Sequence, residues 1–133
     1  ADMSIDKTKI TFKHFKWAEL DSPDLPGSGY NCSLDLLSKL DIARELAKCP
    51  FKITSGFRTK AYNQDLLKRG YKASPDSSHC RGLAVDIAIT DSKKRWTIVN
   101  ALIRAGFTRI GISETFVHCD IDYDKPTHRI WTY

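Results

Sequence analysis

Two segments of alternating polarity most constrain how this chain can fold. GLAVDIAIT, residues 82–90, places large apolar residues at every second position, and its other face holds a glycine, two alanines and the carboxylate of Asp86. TFVHCDIDY, residues 115–123, turns His118 and Asp120 to the same face. A period of two is typical of half-buried β-strands. The pattern therefore predicts two strands that each carry ionisable groups on one face.

Three helices are predicted from apolar residues that recur at helical spacing. The first has a serine that can cap its start and is ended by Pro50. The third is expected to pack four apolar side chains against the core: Trp96, Val99, Leu102 and Ile103. The predicted helices span residues 33–48, 59–69 and 92–105.

Further short strand-like segments lie between and after these helices, without the regular alternation of strand and helix that parallel sheets require. The fold class is therefore predicted to be α+β, with a small antiparallel sheet flanked by about three helices. A chain of 133 residues is long enough for one hydrophobic core, so residues 1–133 are expected to form a single domain.

The first fifteen residues are charged and lack the apolar stretch of a signal peptide. No segment approaches the run of about 20 apolar residues that crosses a bilayer, so no membrane span is expected. We therefore expect either a protein made without a signal peptide or one from which the signal has been removed.

The net charge of +5 favours anionic partners such as nucleic acid, anionic lipid or the polymers of a bacterial wall. The lysines and arginines are scattered along the chain, and a mildly basic solvated surface is the alternative interpretation. Because charge is the single feature that favours nucleic acid, we do not expect nucleic acid to be a partner.

The four cysteines form no C-x-x-C pair, which argues against a zinc ribbon or a thioredoxin-like motif. Cys32 and Cys49 flank the first predicted helix, which would hold them about 24 Å apart and prevent a disulfide. Cys119 falls on the apolar side of its strand and is expected to be a packed thiol. We expect free thiols at all four positions.

A histidine, a carboxylate seven residues later and a second histidine form the candidate site: His79, Asp86 and His118. Two nitrogen ligands and one oxygen ligand, with a fourth position left for water, are typical of a catalytic zinc. A carboxylate among small apolar residues is costly to bury unless it is paired or metal-bound. The alternative is an ordinary ion pair of Asp86 with an arginine or histidine.

Two motifs carry a family resemblance. The series S-x-H-x-x-G-x-A-x-D at residues 77–86, followed by F-V-H-C-D at residues 116–120, resembles the zinc D-alanyl-D-alanine carboxypeptidase family. That family includes phage L-alanyl-D-glutamate endolysins, and the hedgehog signalling domain is a more distant structural relative. ITSGFRTKAYN, residues 53–63, also resembles a family block. The likeness extends from HFKWAEL to the final RIWTY, and it is closest to the compact subgroup without a separate wall-binding domain.

The resemblance implies one zinc ion per chain, held by the three ligands named above. It also implies that Arg58 lies beside the substrate, where a guanidinium can hold a carboxylate or carbonyl with two hydrogen bonds. The alternative for Arg58 is a surface ion pair. Ser77 matches a serine with a supporting or substrate-contacting role, although it could simply cap a turn. Tyr62 and Asn63 match as well, as substrate contacts or as supports of the Arg58 loop.

One position departs from the family pattern. Many members carry the general base as an acid three residues before the second histidine, where this chain has Thr115. Asp120 is the first candidate, either as the base or as the group that orients His118. Glu114 is the second candidate. Both alternatives stay open at the level of sequence.

The function implied is hydrolysis of the stem peptides of bacterial peptidoglycan by a monomeric zinc peptidase. It would be either a D-Ala-D-Ala carboxypeptidase or an endolysin-type endopeptidase that acts on the anionic wall. Such a bacteriolytic enzyme would reach the wall by phage-type release, or as a processed periplasmic or secreted protein. The alternative, favoured by Thr115, is a catalytically inactive zinc-containing module of the same fold that binds the wall or a protein.

Overall fold

The computed structural model describes residues 5–133, and it contains three α-helices and five β-strands in that range. The predicted α+β class and the three helices are confirmed. No helix of this range is long and apolar enough to cross a membrane. The expectation about the N-terminal segment depends partly on residues 1–4, which lie outside the described range. The helices are α1 (Leu34–Ala47), α2 (Lys60–Lys68) and α3 (Ser92–Arg104); the strands are β1 (Ile53–Ser55), β2 (Ala84–Ala88), β3 (Arg109–Ile112), β4 (Phe116–Asp120) and β5 (Arg129–Thr132).

The five strands form one sheet in the order β1-β2-β4-β3-β5. Three of the four pairings are antiparallel, as predicted, whereas β5 runs parallel to β3. The difference arises from the connection after β4. Residues 121–128 turn the chain back, so that β5 runs opposite to β4 and in the same direction as β3, which lies between them.

The apolar core lies between one face of the sheet and helices α1 and α3. Helix α1 begins as predicted, because the Ser33 hydroxyl accepts hydrogen bonds from the backbone N–H groups of Asp35 and Leu36. Its buried face carries leucines and alanines at helical spacing, including Leu36 and Leu40, which are fully buried. Burial of this face provides most of the stability of such a helix.

Helix α3 packs only part of its predicted apolar set against the core. Trp96 is 70% exposed and Ile103 is 50% exposed, so the prediction that both pack inside is wrong. The predicted burial of Leu102 is confirmed, and Val99 is partly buried against the core. The helix also buries Ile98 and Ala101, which lie on one stripe with Leu102. Trp96 and Ile103 are seven residues apart and share the solvent-facing side, because two helical turns separate them.

All four cysteines are free thiols, as predicted. Cys32 and Cys119 are fully buried, and the predicted packing of Cys119 is confirmed. Burial raises the pKa of Cys32 to about 12. Burial also raises the pKa of the Cys119 thiol well above its usual value, so both groups remain protonated apolar fillers at neutral pH.

Candidate metal centre

Three predicted ligands converge on one point above the sheet. Nε2 of His79 lies 3.2 Å from Oδ1 of Asp86, and Nδ1 of His118 lies 3.0 Å from the same oxygen. All three side chains are buried, and one donor atom from each lies within 4.8 Å of the others. The structure thus brings together residues that are up to 39 positions apart in the chain.

Strand register explains how two of these ligands meet. Asp86 on β2 lies directly opposite His118 on β4. The same row continues across the sheet, with one residue from each strand: Ser55, Asp86, His118, Gly111 and Trp131. Because alternate residues of a strand point to opposite faces, this row places its side chains on the site face, away from the helices.

Gly111 leaves room for an aromatic wall beside the ligands. A Cβ atom at this position would lie 2.6 Å from the indole nitrogen of Trp131, which is too close for any side chain. The Trp131 ring therefore packs across the glycine, with its centroid 5.5 Å from that of the His118 ring. The guanidinium of Arg109 lies 4.9 Å from the Trp131 ring centroid, which suits a cation–π contact.

His79 is carried by a short 3-10 helix, Ser78–Arg81. The Ser77 hydroxyl caps it by accepting a hydrogen bond from the backbone N–H of His79 at 3.2 Å. Gly82 ends it with φ of +70°, and a Cβ atom there would lie 2.1 Å from the carbonyl oxygen of Asn31. Only glycine combines this conformation with so close a neighbour, and the chain then enters β2.

The tautomer of His79 follows from its hydrogen bond to Gly56. Nδ1 lies 2.8 Å from the Gly56 carbonyl oxygen, which can only accept, so Nδ1 carries the proton. Nε2 is then left with a lone pair directed at Asp86. Burial lowers the pKa of His79, which favours this neutral form. A neutral imidazole fixed by a backbone carbonyl is the form that binds metals.

His118 is oriented from behind by Asp120. Nε2 of His118 lies 2.7 Å from Oδ2 of Asp120, and the other carboxylate oxygen accepts a hydrogen bond from Nε of Arg109 at 2.7 Å. Burial alone would lower the pKa of His118, but the hydrogen bonds to Asp120 and Asp86 outweigh burial and raise it. Burial would raise the pKa of Asp120. The hydrogen bond from His118 outweighs burial, so the pKa of Asp120 lies below its ordinary value.

Arg58 is buried and holds the carboxylate ligand. Its Nη2 donates to Oδ2 of Asp86 at 3.2 Å, its Nη1 to Asn63 at 3.2 Å and its Nε to Ser55 at 2.9 Å. Burial would raise the pKa of Asp86, but the two histidines lower it further than burial raises it. The arginine pair foreseen as an alternative is therefore present, and it coexists with the histidine pair.

These residues fit a divalent cation of the zinc type. The donor set is two imidazoles and one carboxylate, which is the set of a catalytic zinc site. Each ligand has a fixed outer partner: the Gly56 carbonyl for His79, Arg58 for Asp86 and Asp120 for His118. Such partners orient the ligands and tune their basicity.

The ligands lie in a cavity of about 330 Å³, which Arg58, Ser77 and Asp120 also line. A neighbouring groove of about 530 Å³ is lined by Tyr62, and it shares Arg58 and Asp86 with the cavity. Asn63 lies behind Arg58, where it also donates to the Ser74 carbonyl. Of the predicted site residues, all but Glu114 are therefore assembled around one cleft.

Glu114 is not brought to the ligands. It lies exposed in the turn between β3 and β4, and it lines an adjoining groove that none of the three ligands lines. Its carbonyl oxygen accepts a hydrogen bond from Arg95 at 3.0 Å. Of the two candidate bases, Asp120 is the one that lies at the site.

The sequence interpretation missed several residues that line the cavity, among them Lys72, Arg109, Lys125 and Tyr133. The alternation of TRIGIS places Arg109 on the same face as Gly111, so the sequence could have predicted that these two residues share a face of the strand. The lysines lie in loops, where no periodic pattern predicts the direction of a side chain.

Comparisons with known proteins identify a family and support the fold. The family model described as Peptidase M15 matches residues 11–120. Among solved structures, the L-Ala D-Glu endopeptidase ChiX of Serratia marcescens is similar, with a TM-score of 0.60 and 19% sequence identity. The match covers 71% of this chain and 84% of that protein, and at this identity it supports the fold alone. None of the curated proteins compared matches the chain.

Proposed function

The chain belongs to the peptidase M15 family, and on this premise we propose that it is a zinc-dependent peptidase that hydrolyses the stem peptides of bacterial peptidoglycan. The observation that carries the proposal is the buried convergence of His79, Asp86 and His118. A donor set of this composition leaves a coordination position for water, which peptide hydrolysis requires.

Within this class we propose an endopeptidase. The cavity that holds the ligands and the groove lined by Tyr62 share Arg58, Lys72 and Asp86, so the cleft continues on both sides of the carboxylate ligand. A peptide could extend in both directions from the bond that is cut, whereas a carboxypeptidase needs a closed end for the terminal residue. The similar Serratia protein is itself described as an endopeptidase.

His79, Asp86 and His118 would hold the zinc ion, which supplies a water of lowered pKa and polarises a carbonyl oxygen. Arg58 fixes Oδ2 of Asp86 and leaves Oδ1 facing both imidazoles. Asp120 fixes the ring of His118 through Nε2, and Arg109 fixes Asp120 in turn. This second layer keeps the ligand atoms in place during turnover.

The role of Asp120 is proposed as orientation first and proton transfer second. Both of its oxygens already accept hydrogen bonds, and its lowered pKa makes it a weak base. Two carboxylates line the cavity, Asp86 and Asp120. Because Asp86 is a proposed ligand, Asp120 is the one left to receive a proton. Glu114 would have to move from the turn before it could act.

The proposal can be tested by incubating the zinc-loaded protein with purified peptidoglycan and identifying the released termini by mass spectrometry. We expect internal cleavage of the stem, which stops when a chelator is added and in the His79→Ala variant. Release of terminal D-alanine instead would establish a carboxypeptidase and refute the endopeptidase assignment. Absence of any release with zinc bound would refute the enzymatic proposal.

A second candidate is a zinc-containing binding module of the same fold. The engagement of both Asp120 oxygens favours it, because a module without a free base would bind the wall and leave it intact. Sedimentation of the protein with insoluble peptidoglycan separates the two candidates. Binding without release of fragments, in the presence of zinc, would support the module.

We propose the bacterial wall as the place of action, reached by phage-type release or by export. The net charge of +5 supports this, since anionic wall polymers would keep a basic protein near its substrate. Retention of the protein on isolated walls should therefore weaken as salt is added, because salt screens exposed charges.

A further inference from the structure

Four cationic side chains line the cavity that holds the ligands: Arg58, Lys72, Arg109 and Lys125. The same wall carries two carboxylates, Asp86 and Asp120, so positive charge is in excess even before a divalent cation is counted. A cleft with one sign of charge concentrates ligands of the opposite sign. The substrate of this cleft should therefore carry a negative group.

Three of these cations already have partners. Arg58 donates to Ser55, Asn63 and Asp86 through its three nitrogens. Arg109 donates to Asp120 and to the Pro126 carbonyl.

Lys125 donates to the Asp76 carbonyl at 2.6 Å and to the Ser78 hydroxyl at 3.2 Å, and its ammonium lies 3.7 Å from Asp122. These partners fix the three side chains in the wall of the cleft, although each guanidinium keeps N–H donors that these contacts do not use.

Lys72 differs from the other three in both position and contacts. It is exposed in the loop after α2, and it lines the ligand cavity as well as two adjoining grooves. Its Nζ lies 5.9 Å from the Tyr133 ring centroid, beside the mouth of the cavity. Within residues 5–133 this ammonium group forms no hydrogen bond or ion pair, and the group that it contacts is the Tyr133 ring.

We propose that Lys72 is a specificity-determining residue that recognises a free carboxylate on the stem peptide, next to the bond that is cut. The inference rests on the proposed function, which it deepens by naming acidic stem peptides as the preferred substrates. A γ-linked D-glutamate has such a group, because its α-carboxylate remains free when the side-chain carboxyl forms the peptide bond. Amidation of that group removes the charge and leaves the size nearly unchanged.

Recognition of this kind acts on binding and not on the chemical step. The ammonium of Lys72 and the substrate carboxylate would attract each other equally in the ground state and the transition state. Loss of the lysine should therefore raise KM and leave kcat nearly unchanged. This division separates a specificity residue from one that supports the metal ligands.

The test uses two synthetic peptides that contain L-alanyl-γ-D-glutamyl and differ only in an α-carboxylate or an α-carboxamide. The wild-type protein should prefer the carboxylate by roughly tenfold in kcat/KM, the size of one hydrogen bond to a charged group. Lys72→Met should remove the preference through KM, and Lys72→Arg should keep most of it. Lys94→Met is the matched control, because Lys94 is an exposed lysine on α3 that lines none of these grooves.

Calorimetry with the same two peptides measures their binding to the chelator-treated protein. This measurement tests recognition by Lys72 independently of whether the peptides are hydrolysed. Binding that favours the carboxylate and depends on Lys72 would support the role of Lys72 even if neither peptide were cleaved. Cleavage or binding of both peptides with equal efficiency would overturn it, as would a preference that survives in Lys72→Met. A protein that neither binds nor cleaves the peptides would refute both proposals.

Discussion

The two faces of strands β2 and β4 are both largely buried, and they are chemically opposite. On one face Val85, Ile87, Val117 and Cys119 have no exposed surface and pack against the helices. On the other face Asp86, His118 and Asp120 are at most 7% exposed, and every one of them is hydrogen-bonded. The same ten residues of strand thus build both the core and the candidate site.

The faces differ in how they tolerate change. The core face is held by burial of apolar surface, which is non-directional and scales with area. The site face is held by directional contacts, in which removal of one partner leaves another buried polar group unsatisfied. Substitutions on the first face should therefore affect mainly stability, and those on the second mainly ligand geometry.

The largest effect is expected from His118→Ala on the site face. Loss of one of the three proposed metal ligands should lower peptidase activity on the order of 10³-fold, which corresponds to several kcal/mol of lost metal-ion catalysis. Stem-peptide hydrolysis and bound zinc should be measured together, with circular dichroism as a control for the fold. A variant that retains most of its activity would contradict the ligand assignment.

The matching change on the core face is Ile87→Ala. Ile87 is fully buried, so truncation should lower the free energy of unfolding by about 2–5 kcal/mol, as measured by urea denaturation. Ile103→Ala is the control, because that side chain is 50% exposed and its loss should cost less than about 1 kcal/mol. Equal losses in the two variants would contradict the assigned core.

A smaller effect is expected from Asp120→Asn, which keeps the shape of the side chain and removes its charge. Because Asp120 orients His118 and pairs with Arg109, zinc affinity should fall roughly 10–100-fold. Competition with a chelator of known affinity measures the change. Unchanged affinity together with lost activity would instead assign Asp120 to proton transfer.

The smallest effect concerns the reactivity of the thiols, which measures how well each cysteine is buried and requires no substitution. Cys119 and Cys32 are fully buried, whereas Cys49 and Cys80 are half-buried. A thiol-specific reagent at pH 8 should therefore modify Cys49 and Cys80 first in the folded protein, and all four in urea. Peptide mapping gives the order of reaction, and rapid modification of Cys119 in the folded state would contradict its place in the core.

The core face of the strands could be predicted from sequence, because the alternation of apolar and polar residues is a local pattern that does not depend on distant residues. The three candidate ligands were also predicted, because their spacing and neighbours form a recognisable motif. The structure brings them together. Of their outer partners, Asp120 was foreseen as a group that could orient His118, and an arginine was foreseen as a partner of Asp86. The Gly56 carbonyl and Arg109 were not predicted. The Gly56 carbonyl is 23 positions from His79, and Arg109 reaches Asp120 only because β3 and β4 pair in a particular register.

Helix α3 shows a different limit of sequence interpretation. Its apolar residues lie on more than one side, and the side that faces inward depends on how the helix packs against α1. Trp96 and Ile103 therefore remain in solvent although their spacing suits a buried stripe. The parallel direction of β5 was equally unavailable, because it depends on the path of the eight-residue loop that precedes it.

The row of Ser55, Asp86, His118, Gly111 and Trp131 takes one residue from each strand, and it exists only when all five strands are in register. A slip of β4 by one residue would exchange His118 for Val117 or Cys119 and turn the imidazole towards the helices. A cation that binds the aligned sheet would bind none of the slipped ones. Metal binding during folding would thus favour the correct strand register over slipped ones, because it stabilises the correct pairing by mass action.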